Sequence, residues 1–147
     1  IKQKSQIPRY KTVDMDAYKV KEIIGDNPRF RSPFCEPCSY YIWKKGDENA
    51  SNEEIETYFR KLKYMSDNIE RFVRQAFHPV FYEFYGVKQN RIRSPDQMCQ
   101  ELMVDSFVLD ADTETIGCCL SNSQFLFGHY IDCLWNDNWE LVYSYIC

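Results

Sequence analysis

Residues 105–147, DSFVLDADTETIGCCLSNSQFLFGHYIDCLWNDNWELVYSYIC, decide the fold. They split into four β-type runs, 106–111, 114–121, 125–135 and 139–146, each rich in β-branched, aromatic or cysteine side chains. The breaks between them are Asp112-Thr113, Asn122-Ser123 and Asn136-Asp137-Asn138, all residues that favour turns. The longest aromatic run, Phe125-Leu126-Phe127-Gly128-His129-Tyr130-Ile131, opens the third strand. Four runs in series predict an antiparallel meander, and a meander needs cover for its apolar face.

The segment before it supplies that cover. Ser51-Asn52-Glu53-Glu54 reads as a capping box, and Ile55, Phe59, Leu62 and Met65 follow at helical spacing. Asp67 can cap a second helix, with Glu70 three residues on. Its stripe is Ile69, Phe72 or Val73, Ala76, Val80 and Phe84. Pro79 is expected to kink or break that helix after His78, and Gly86 to stop it. Ser94-Pro95-Asp96-Gln97 starts a short third helix over 95–103. Upstream, Ser39-Tyr40-Tyr41-Ile42-Trp43 reads as an aromatic strand, and Pro28, Pro33 and Pro37 keep 28–38 irregular. Residues 1–22 read as a loose arm, or as a first strand around 18–24. The fold class is therefore α+β: two to three helices on one face of a C-terminal antiparallel β-meander, with an irregular N-terminal arm. With 147 residues and 44% hydrophobic content, a single domain spanning 1–147 is expected.

Charge is distributed unevenly. Residues 1–93 hold eighteen Lys/Arg and thirteen Asp/Glu, whereas 94–147 hold none and nine, giving −9 for the tail against +5 for the rest. Either acidic strands lie beside basic helices or simply face water, or the meander shows an acidic surface that attracts a basic partner. Direct binding of nucleic acid by this part is disfavoured, because phosphates need Lys and Arg. No run of about 18 apolar residues predicts a membrane span, and no signal-peptide pattern is visible. Seven cysteines, two of them adjacent, do not suit a disulfide framework. A reducing, cytoplasmic setting is expected.

A Ser-Pro-capped helix (Ser94-Pro95-Asp96-Gln97-Met98) leads into the strand Asp105-Ser106-Phe107-Val108-Leu109-Asp110. A turn, the Phe127-Gly128-His129 run and a last hairpin follow. This order resembles the small bacterial domains classed as domain of unknown function 2262, over roughly 40–147. The cysteine-rich meander, and Cys147 where a terminal glycine would be expected, depart from that pattern. The resemblance implies an α+β fold without established catalytic residues. It also implies a role like that of immunity proteins against polymorphic toxins, with a protein as partner.

The chemical candidates each have a bland reading beside the sharp one. Cys35-Glu36-Pro37-Cys38 has redox or zinc spacing, but a strand follows it where a thioredoxin-type motif needs a helix. His129 and Cys133 would lie about 13 Å apart on a straight strand, too far to share a zinc unless the strand is broken at Gly128. Cys118 and Cys119 face opposite sides of a strand, so at least one is a core residue. A thiol paired with His129 as a nucleophile has no third orienting group. Asp110-Ala111-Asp112-Thr113-Glu114 opens like a calcium loop but lacks the later glycine and acid, so a solvated turn is expected. Trp135 and Trp139 flank a hairpin turn and serve either as a cross-strand pair or as exposed anchors, with at least one of them expected in the core.

The favoured function is a cytoplasmic protein-binding domain, in its concrete form an immunity-type inhibitor that blocks a basic, nuclease-like toxin. Its expected partner-binding residues are Asp110, Asp112, His129, Asp132, Trp135, Asp137, Trp139 and Glu140. No catalytic residue, metal or cofactor is implied, and neither is a membrane. A self-associating scaffold domain, a homodimer through the same face, is the alternative. An enzyme using Cys or His chemistry comes third.

Overall fold

The structure is a computed structural model, and it describes residues 10–14, 16–30, 38–46, 49–85, 94–122, 126 and 128–147. Two elements come first, β1 (Tyr10–Asp14) and α1 (Ala17–Ile24), followed by β2 (Ser39–Lys45). Three helices occupy the middle: α2 (Asn52–Asp67), α3 (Ile69–Tyr85) and α4 (Pro95–Cys99). The chain ends in β3 (Met103–Asp110), β4 (Thr115–Ser121), β5 (Ile131–Trp135) and β6 (Leu141–Ile146). All six strands form one sheet in sequence order, antiparallel at every junction except β2–β3, which is parallel. That parallel pair is possible because the three helices carry the chain back across the sheet before β3 begins.

The α+β class and the C-terminal meander are as expected, and helices pack on the sheet. The meander is the larger part of a mixed sheet that β1 and β2 extend. The expected strand around 18–24 is a helix. Asp16 caps it by accepting from the amides of Tyr18 and Lys19, and Val20, Ile23 and Ile24 fall at helical spacing. Over 10–24, the irregular arm is replaced by a strand and this helix.

Both capping boxes are present. Ser51 and Glu54 hold the start of α2, and Ser94 and Gln97 that of α4. Asp67 does not cap α3. It ends α2, where it pairs with Lys63 at 3.1 Å, while the Asn68 carbonyl accepts from the amides of Arg71 and Phe72. No break follows His78, because α3 runs through Pro79 to Tyr85. Ile69, Phe72, Val73, Ala76, Phe77 and Val80, on both sides of the proline, are all buried. At roughly 1.5–3 kcal/mol per large apolar side chain, that stripe outweighs the roughly 3 kcal/mol cost of an interior proline. The third helix stops at Cys99, short of the expected 103. The third strand begins only at Ile131. Before it, the amide of His129 bonds back to Leu126 in a turn, with Gly128 at φ 86°.

The core lies between α2 and α3 and the sheet's inner face. Phe107, Leu109, Ile116, Cys118, Leu120, Ile131, Cys133 and Trp135 point inward, and all are buried. They meet Tyr58, Leu62, Met65, Phe72 and Phe77. The Tyr58 hydroxyl donates to the Phe107 carbonyl at 3.1 Å, and Phe72 meets Trp135 edge-on at 5.3 Å. Arg29 ties the first part of the chain to this body. Its guanidinium is buried and donates to the Cys99 and Leu102 carbonyls and to Glu70.

Candidate functional site: the open face of the sheet

The register fixes which side chains share the outer face. One row across the strands is Tyr41, Val108, Gly117, Leu134 and Tyr143, and the next is Ser106, Cys119, Asp132 and Tyr145. Trp43, Asp110 and Thr115 make a third row. Helices cover the inner side, but large aromatic groups stay exposed here: Trp43 at 44%, Tyr143 at 38% and Tyr145 at 45%. At the centre Gly117 contributes no side chain. An added Cβ would lie 2.8 Å from the Cys133 carbonyl oxygen and 3.1 Å from Leu134. Across this face lies a mostly apolar hollow of about 290 Å³. Val108, Gly117 and Leu134 lie at its centre, with Trp43 and Tyr143 also in the lining.

Two of the expected acidic residues, Asp110 and Asp132, line this hollow. Asp132 accepts from the Tyr145 hydroxyl at 3.1 Å. That hydrogen bond is the main reason the Tyr145 phenol titrates above its ordinary value. Burial first and the Asp132 charge second push Tyr143 up to about 12. Asp110 also closes the β3–β4 turn, accepting from the amides of Asp112 and Thr113. Asp112 accepts from the Lys45 amide at 3.1 Å, clipping that turn to β2. The exposed His129 lies at the far end, its Nδ1 3.2 Å from the carbonyl of Cys147, which also lines the hollow.

The remaining expected residues lie elsewhere. Trp135 is fully buried and donates its Nε1 proton to Gln75 at 2.9 Å, so it cannot anchor a partner. Trp139 packs against Tyr64 at 4.6 Å and Phe72 at 5.2 Å, on the helix side. It also takes the positive φ of its turn, 62°. Asn136 makes this tolerable by accepting from the amides of Asn138 and Glu140. Asp137 pairs at 2.6 Å with the buried Lys61, whose ammonium also lies 5.6 Å from the Trp139 ring. Hydrogen bonding to Lys61 holds the Asp137 carboxyl below its usual range. Glu140 stays exposed at the same turn. The 136–140 turn is thus a clamp onto α2, away from the open face.

Sequence reading missed Trp43, Val108, Gly117 and Leu134 as a set; the available signal was the pair of aromatics two apart in each of two strands, Tyr41 and Trp43 in Ser39–Lys45 and Tyr143 and Tyr145 in Leu141–Ile146.

The cysteines do not form a reactive constellation among the described residues, and Cys35 lies outside them. Cys118 and Cys133 face each other inside the core with their Sγ atoms 3.3 Å apart. The hydrogen bond to Cys133, then burial, raises the Cys118 thiol well above its ordinary value. Burial is the leading cause for the other raised thiols: Cys38, Cys99 at about 11, Cys119 at about 12, and Cys147. A nucleophilic cysteine needs the opposite shift. Cys133 faces the core while His129 faces solvent, so these two are not brought together. No group of three or more His, Cys, Asp or Glu side chains converges as a metal site among the described residues. No described helix is long and apolar enough to cross a membrane.

Comparison with protein-family models, curated proteins and solved structures gives no match to this chain. The reading of function therefore rests on the open face alone.

Proposed function

We propose that this chain is a protein-binding domain that takes a basic segment of a partner protein onto the open face of its sheet. The carrying observation is the hollow on the sheet face that no described helix covers, with Trp43, Tyr143, Asp110 and Asp132 in its lining. Carboxylates attract Lys and Arg, and exposed aromatic rings hold the same cations face-on. Val108 and Leu134 would take the aliphatic stems of those side chains. No Lys or Arg anywhere in 94–147 opposes such a ligand. An immunity-type inhibitor is the concrete form of this activity. A nuclease-like toxin must present Lys and Arg to hold phosphate, and those are the groups this face suits.

A fluorescent hexa-arginine peptide tests the chemistry directly, with a hexa-glutamate peptide as control. The arginine peptide should bind and the glutamate peptide should not. Asp132→Lys should weaken binding at least about tenfold and flatten its dependence on salt. Equal binding of both peptides, or an unchanged affinity in a variant that melts normally, would overturn the reading.

A further inference from the structure

β6 is an edge strand, paired with β5 alone among the described residues. The ladder tells which of its backbone groups are spare. Tyr130 and Cys147 exchange both of their N–H···O bonds, at 3.1 and 2.9 Å. Antiparallel ladders alternate bonded and non-bonded pairs. Tyr145 and Tyr143, opposite Asp132 and Leu134, are therefore also bonded to β5. Ser144 and Ile146 then turn their N–H and C=O groups outward. Natural edge strands are usually blunted by Lys, Pro or an inward charge. Leu141–Ile146, LVYSYI, has none of these, and Val142 is 54% exposed.

The strand also reads almost the same in both directions about Ser144: Val142-Tyr143-Ser144-Tyr145-Ile146. We propose that β6 pairs with β6 of a second copy of this chain, antiparallel and centred on Ser144. In that register Ser144 exchanges two backbone hydrogen bonds with its own counterpart. Tyr143 stands opposite Tyr145 of the second copy, and Val142 opposite Ile146. Centring on Tyr143 would set Glu140 against Ile146, and a shift to an odd register would face spare groups with groups already bonded to β5. The contact is isologous and closes at two copies. No charged side chain meets its like across the twofold axis, and the two open faces become continuous. This pairing uses the strand's edge, so it holds or fails independently of what binds the face.

Sedimentation equilibrium on the 17.6 kDa chain tests this. Its apparent mass should approach twice that value as concentration rises. Tyr143→Lys with Tyr145→Lys opposes like charges at both ends of the pairing and should give a monomer. Tyr143→Glu with Tyr145→Lys opposes unlike charges in the same register and should restore the dimer. Amide exchange of the unaltered chain adds a readout that needs no variant to fold: Ser144 and Ile146 should exchange more slowly as concentration rises. A mass that stays at one chain, a lysine pair that dimerises like the parent, a glutamate–lysine pair that does not recover, or concentration-independent exchange at both amides would each overturn the proposal.

Discussion

Gly117 matters most among single residues, because Leu134 and the Cys133 carbonyl press against the place a side chain would take. A methyl group there has no room beside the Cys133 carbonyl. Gly117→Ala should cost about 1–3 kcal/mol of stability, the usual range for overpacking, and should weaken binding at the open face as well. A chemical denaturation curve measures the first effect, and an unchanged midpoint would show that the backbone yields easily. Single residues were also where sequence reading was least secure. Asp110 and Asp132 were singled out and do line the hollow. Asp137, Trp135 and Trp139 were singled out on the same grounds and lie elsewhere, because a turn's residue types do not reveal which layer the turn folds against. Lys61 settled that question. It lies 76 residues from Asp137 and shows no local sign of being its partner.

At the scale of elements, local chemistry was legible and long-range pairing was not. The two capping boxes were readable because all their groups lie within four residues. The break expected at Pro79 did not occur, because tertiary burial on both sides overrode a local preference. The parallel junction of β2 with β3 left no trace in the sequence, since its partners are more than 60 residues apart. Glu54 offers a test at this scale. Its hydrogen bond from Lys44, 2.7 Å long, is the largest influence holding its carboxyl below the ordinary value. A lowered folded pKa adds stability that is complete above the unfolded value of about 4.3. That contribution is lost as pH falls through the lowered folded value. Melting temperature should therefore drop on acidification below about pH 4.5, and Glu54→Gln should shallow that drop while lowering stability at pH 7. Identical acid profiles for the two proteins would contradict the assignment.

Across the whole molecule, the charge asymmetry of the sequence resolves into two populations. Some tail carboxylates are spent within the fold: Asp137 on Lys61, and Asp96 on Arg74 at 3.1 Å. Others, Asp110 and Asp132, lie on a face that no described helix covers. Pairing within the chain thus accounts for Asp96 and Asp137, and Asp110 and Asp132 line the hollow on the outer face instead. Composition could not divide them, because Asp96 and Asp137 are paired by helix residues elsewhere in the chain, Arg74 and Lys61, while Asp110 and Asp132 are placed by the side of the strand on which they fall.

A cationic ligand should settle on the open face of the sheet. Titrating the isotopically labelled protein with hexa-arginine while following amide shifts measures this directly. Perturbations should concentrate at Val108, Gly117, Asp132, Leu134 and Tyr143, leaving the outer surfaces of α2 and α3 unmoved. Shifts centred on the helices, or none at saturating peptide, would contradict it.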